Sequence, residues 1–182
     1  MSIKRAVQDS IRYFQEKNFH AAMTSACIAL DATGKKEFET SSQERCKQLI
    51  QANMDIITHV GFFGVISAVP GAKISLMCPG NNNTQNLIED ILYKSIRCNL
   101  IHEASLPAGV EFTEKLLYGK QSDIFYIPVT LILALLLVVI GSPSNVIWNL
   151  GGNIVIRVNN VNLYINNLWG NAAEIRRLLK ID

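Results

Sequence analysis

A mainly α-helical fold, one domain with a small β-hairpin addition in its C-terminal half, is what this sequence predicts. Three observations carry the prediction. Apolar residues recur at three- and four-residue steps through most of the first 106 residues, and Ser41 and Glu44 have the spacing of a helix capping box. Two alternating segments, 153–158 and 161–165, flank Asn159-Asn160 as a hairpin would. A length of 182 residues at 49% hydrophobic content suits a single domain over 1–182, with a helical core in 1–106 and an elaboration in 107–182.

Taken in order, Ile3, Val7, Ile11 and Phe14 mark a first helix. Asn18 offers the cap of a second that carries Phe19, Ala22, Met23, Ala26, Ala29 and Leu30, with Gly34 as its terminator. The tight join makes the pair a helical hairpin. Ser41 and Glu44 open a third helix bearing Leu49, Ile50, Ile57 and Val60, which ends near Gly61 or Gly64. Residues 70–86 are rich in Pro, Gly and Asn and read as a surface connection with one brief extended piece at 74–77. The next helix starts near Asn83 or Thr84, puts Ile88, Leu92, Ile96 and Leu100 on a buried stripe, and cannot pass Pro107.

Beyond Pro107, residues 110–117 read as extended. Residues 124–140 run without a charge, just under membrane-spanning length, and contain a helix from about Pro128 to Ile140 that Gly141-Ser142-Pro143 stops. No basic cluster adjoins either end to orient a membrane span, so the segment reads as an all-apolar helix buried in a bundle. Gly151-Gly152-Asn153 leads into a strand and is a turn, since a phosphate cradle needs a helix immediately after it. The chain closes with a short basic helix over 171–180, where Arg176, Arg177 and Lys180 form a solvated face, an RNA-backbone rail being the competing reading.

Seventeen basic against fifteen acidic side chains leave a net charge of +2, too balanced for a sequence-independent grip on nucleic acid, so any RNA contact has to be local. Cys27, Cys46, Cys78 and Cys98 lack the two-residue spacing of zinc or redox sites, and charges interrupt the first twenty residues where a secretory segment would be apolar. Reduced thiols and a cytoplasmic location follow. No histidine pair has metal spacing and no Gly-x-Ser-x-Gly elbow occurs, so neither a metal nor another cofactor is expected.

The pair that carries chemistry is Arg97 and His102. A guanidinium clamps a phosphate and an imidazole moves a proton, the two needs of RNA cleavage without a metal. Five residues at about 100° each place them about 140° apart on an ideal helix, with about 7.5 Å of rise, so they meet only where the helix ends or where a second chain supplies the facing pair. His20, Thr24, Cys27 and Asp31 form a polar line on the second helix. Asp31 lies toward that helix's C-terminus, where a carboxylate needs a cation, and Arg97 is the candidate; a solvated face is the competing reading. Asn99, three residues before His102, is placed to hold the imidazole or to serve as a surface amide.

The Arg97-Cys98-Asn99-Leu100-Ile101-His102 stretch, late on a helix of a chain that begins with a helical hairpin, resembles the motif of the HEPN superfamily, an Arg and a His separated by four to six residues. The position after the arginine, often polar in that family, is Cys98 here. The resemblance implies a helical bundle that homodimerises and brings two motifs into one cleft. It also implies a metal-independent endoribonuclease of toxin-antitoxin or other defence systems, with Arg97 as phosphate clamp and His102 as general acid or base. An antitoxin or nucleotidyltransferase-type protein partner belongs to the same expectation, as does an acidic group from an early helix, here Asp31, facing the motif. The alternatives are a non-catalytic binding or assembly module of the same type and a small membrane protein built on 124–140.

Overall fold

In a computed structural model of the chain, residues 2–64, 68–79 and 81–181 are described, the side chains of 81–83 excepted. Helices α1 (Ile3–Gln15) and α2 (Phe19–Glu37) form the expected hairpin. Asn18 caps α2 by accepting from the Ala21 N–H, and the buried Ser10 hydroxyl donates to the Ala22 carbonyl across the hairpin at 2.7 Å. Gly34 does not end α2, which continues to Glu37. It lies buried where α3 crosses, and a Cβ there would stand 3.3 Å from Arg45 Cγ and from the Arg45 carbonyl oxygen.

The capping box forms, with Ser41 Oγ accepting from the Glu44 N–H at 3.2 Å, and opens α3 (Ser42–Ala52). The single third helix of the sequence reading is two. Asn53 leaves helical geometry, donates its side-chain amide to the Leu49 carbonyl, and hands over to α4 (Met54–Gly61).

Strands β1 (Ser75–Cys78) and β2 (Asn81–Leu87) form an antiparallel pair where one short extended piece and an early helix start were expected. The helix begins only at Ile88. Helix α5 is continuous from Ile88 to His102 in three pieces: an opening turn at Ile88–Asp90, a π-helical stretch at Ile91–Cys98 and an α-helical end at Asn99–His102. Ile88, Leu92, Ile96 and Leu100 are all buried. A strict four-residue repeat overshoots a 3.6-residue turn by about 40° at each step, and a wider turn absorbs that drift. The amide of Asn99 supports the widened stretch by donating to the Lys94 and Ser95 carbonyls at 3.3 and 3.0 Å.

After Pro107, β3 (Val110–Thr113), β4 (Gly119–Gln121) and β5 (Ile124–Pro128) make a three-stranded sheet in the order β3-β5-β4, parallel between β3 and β5. The uncharged run 124–140 is therefore divided between β5 and α6 (Thr130–Gly141), and Pro128 closes a strand where the start of a helix was expected. Every residue of α6 after Thr130 is buried, with α2, α4 and the last helix packed against it. Its end carbonyls are satisfied inside the protein: Asn145 donates to Val139 O and the Gly170 N–H to Ile140 O, both at 2.8 Å. At twelve residues α6 is about 18 Å long, well short of a bilayer's hydrocarbon core.

Strands β6 (Val155–Val158) and β7 (Val161–Tyr164) pair antiparallel across Asn159-Asn160, with Asn159 at φ +53°, as the hairpin reading requires. Helix α7 (Ala172–Leu179) follows, capped by Asn171. Arg176 does not lie on a solvated face. It turns onto the buried Asp55 of α4, with Nη2 3.0 Å from Oδ1 and Nε against Oδ2, and so ties the last helix to the fourth. Arg177 and Lys180 remain exposed.

Candidate functional site

Three helices bring their polar side chains to one point. Asp31 comes from α2, six residues before its end, where a half-buried carboxylate needs a partner. Helix α3 meets it. The Ser42 hydroxyl donates to Asp31 Oδ1 at 2.7 Å, Arg45 donates Nε and Nη2 to the same oxygen at 3.2 and 3.1 Å, and the Cys46 thiol lies 3.6 Å from it. This closeness depends on Gly34, whose missing side chain lets Arg45 lie flat against α2.

The third contributor is α5. Arg97 Nη2 stands 3.7 Å from the other Asp31 oxygen and donates to Ser42 Oγ at 3.4 Å, while its guanidinium lies over the Tyr93 ring, 4.9 Å from the centroid. Arg97 Nε is buried and, among the described residues, has no hydrogen-bond acceptor. Side-chain exposures of 14% for Arg97, 17% for Arg45 and 26% for Asp31 leave the cluster reachable from solvent at its rim.

The electrostatics follow from this crowding. Burial by itself pushes the Asp31 carboxyl up, but the Ser42 hydroxyl and the guanidiniums of Arg45 and Arg97 outweigh it and hold the acid below its ordinary value. Cys27 and Cys46 border the cluster on the inner side. Burial, reinforced for Cys27 by the Cys46 thiol and for Cys46 by the Asp31 charge, pushes both thiols up to about 12, so they are neutral and do not cancel the guanidinium charge.

His102 occupies the last turn of α5 and is exposed. Among the described residues no hydrogen bond or ion pair connects its ring to Arg97, Asp31 or Asn99, whose amide is turned back onto the helix. His20 is exposed and packs edge-on to Phe112, and His59 lies in the last turn of α4. Within one copy, then, the structure gathers Asp31 and Arg97 and leaves His102 and Asn99 outside their contacts. Sequence reasoning missed Arg45. Its signal was present: an Arg one turn into a capped helix, opposite a carboxylate that wants a cation and a glycine that gives it room.

Among the described residues no group of three or more His, Cys, Asp or Glu side chains is placed to hold a metal ion, and no helix is long and apolar enough to cross a membrane. Comparison with curated proteins and with solved structures finds no match. A family model described as Rv1289 matches residues 2–182, nearly the whole chain and every element of the cluster. The chain belongs to the Rv1289 family.

Proposed function

We propose that this chain is a metal-independent endoribonuclease of the HEPN type that acts as a homodimer. One observation carries the reading: on a single helix, a guanidinium locked in place by Asp31, Ser42 and Tyr93 but with donors to spare precedes an exposed imidazole by five residues. Locking matters because a pre-positioned cation stabilises charge that develops in a transition state without having to reorganise.

In this reaction His102 takes the proton of a ribose 2′-hydroxyl, and that oxygen attacks the adjacent phosphorus. Arg97 stabilises the extra negative charge on the oxygens of the pentacoordinate phosphorus. The bond to the 5′-oxygen breaks, and that oxygen leaves with a proton from His102 of the second copy. The products are a 2′,3′-cyclic phosphate and a 5′-hydroxyl. The cytoplasmic defence setting, with an antitoxin or nucleotidyltransferase-type partner, is part of the same proposal.

The test is cleavage of single-stranded RNA in EDTA. Activity with cyclic-phosphate ends, lost in both Arg97→Ala and His102→Ala, supports the proposal; intact RNA after incubation with the dimeric protein refutes it. A second reading, a non-catalytic module that binds RNA or a protein partner, is favoured by the absence of any neighbour among the described residues that fixes the His102 ring. Saturable RNA binding without cleavage would select it.

A further inference from the structure

We propose that Arg45 is a second phosphate-holding residue, and that Arg45, Arg97 and Ser42 form an anion site, half neutralised by the Asp31 carboxylate, for the phosphodiester of a single-stranded RNA. The choice of RNA as ligand rests on the ribonuclease reading; the anion site itself rests on geometry.

Two guanidiniums from different helices converge on one carboxylate, leaving one uncompensated positive charge, which matches a phosphodiester's single negative charge. The two are not equally engaged. Arg45 is bound through two nitrogens at hydrogen-bond distance, whereas Arg97 stands 3.7 Å from the carboxylate and, among the described residues, keeps a buried Nε without an acceptor. A guanidinium carries five N–H donors, and Arg97 uses one of them on Ser42. The guanidinium's remaining N–H donors can take oxygens of a phosphate, so a tetrahedral anion satisfies donors that the planar carboxylate leaves unmet.

The surroundings extend the same charge. Lys47 and Lys94 share Asp90 at 2.7 and 3.4 Å along the same α3–α5 seam. Among the described ion pairs, Arg45, Lys47, Lys94 and Arg97 thus meet two carboxylates, Asp31 and Asp90, along this seam. Lys94 is largely exposed and is placed to meet a neighbouring phosphate of the strand.

Fluorescence anisotropy with a labelled decamer of 2′-O-methyl ribonucleotides tests the site apart from catalysis, because that strand lacks the attacking hydroxyl. Inorganic phosphate serves as competitor. Wild type should bind saturably and be displaced by phosphate. Arg45→Gln should weaken binding about tenfold, and Arg45→Lys, which keeps the charge and the Asp31 ion pair but not the fork, by less. Asp31→Asn should tighten binding several-fold, the opposite of what a merely structural carboxylate would do. Unchanged binding in both folded Arg45 variants, or Asp31→Asn that binds no better than wild type, overturns the proposal. Binding with this mutational pattern but no cleavage of the unmodified strand would sink the nuclease reading and leave the anion site standing. Cleavage with unaltered Arg45 variants would do the reverse.

Discussion

Arg97 Nη2 lies 3.7 Å from Asp31 Oδ2, close enough for a strong charge attraction and too far for a hydrogen bond. Asp31 is thus a carboxylate held ionised by neighbours, one of which it does not saturate. Its acid strength follows. The folded value is below the ordinary one of about 3.9, so the fold favours the charged form, and that stabilisation is complete above about pH 4 and lost as pH falls through the lower folded value. Asp31→Asn should therefore be less stable than wild type at pH 7, with the gap closing below pH 4. Urea midpoints measured from pH 7 down to pH 2 check this; a gap of constant size across that range would show that the Asp31 charge contributes nothing.

Gly34 sets the distance between α2 and α3 and so the reach of Arg45. Ala at this position meets Arg45 at 3.3 Å and asks for a shift of a few tenths of an ångström; Val asks for more. Gly34→Val should destabilise the protein by about 1–3 kcal/mol, as overpacking at a close contact does. It should also displace Arg45 from Asp31. Chemical denaturation reads the first effect, and the NMR resonance of the Arg45 side-chain N–H the second.

The early helices were legible because their amphipathic stripes follow recognisable caps, and Asn18 and Ser41 both cap where the pattern places them. The strict spacing of Ile88, Leu92, Ile96 and Leu100 also held the signal of a widened turn, although it reads at first as an ordinary helix. In the 124–140 run the helix was legible, expected from about Pro128 to Ile140 and found at Thr130–Gly141, but the strand at Ile124–Pro128 before it was not, because an uninterrupted apolar run has no period to mark the change. Asp31 and Arg97 could be paired by charge logic, whereas the Arg45 signal is recognisable only once α3 is known to cross α2 at Gly34, and Arg176 carries no local signal at all. Each finds its carboxylate through a long-range packing contact, at Gly34 in one case and at the buried end of α4 in the other.

Cys27 and Cys46 sit against the Asp31 cluster, yet both are almost fully buried and both are pushed up to about 12. The thiolate is the reacting species, so at pH 8 neither should modify in the folded protein. Cys78 and Cys98 are half-buried and should react first. A thiol-reagent time course on native protein should thus show two fast sites out of four, with the remaining two appearing only on addition of denaturant. Mass mapping that finds Cys27 or Cys46 among the fast pair would mean that the α2–α3 contact opens readily.

The Asp55 carboxylate is 2% exposed, and Arg176 supplies its ion pair from the last helix, with an additional contact from Nη2 to Asn53 Oδ1 at 3.3 Å. Removing the arginine alone strands a buried charge, so Arg176→Ala should cost about 3–5 kcal/mol. Replacing both partners is a different experiment. An Asp55→Asn, Arg176→Met double variant leaves no buried charge and keeps most of the volume, and it should recover much of the loss. If the single and double variants unfold at the same urea concentration, the pair matters for its packing and not for its charge. If Arg176→Ala is neutral, α7 is not held by Asp55 at all, and the closing of the bundle must come from the apolar contacts of Ile175 and Leu179.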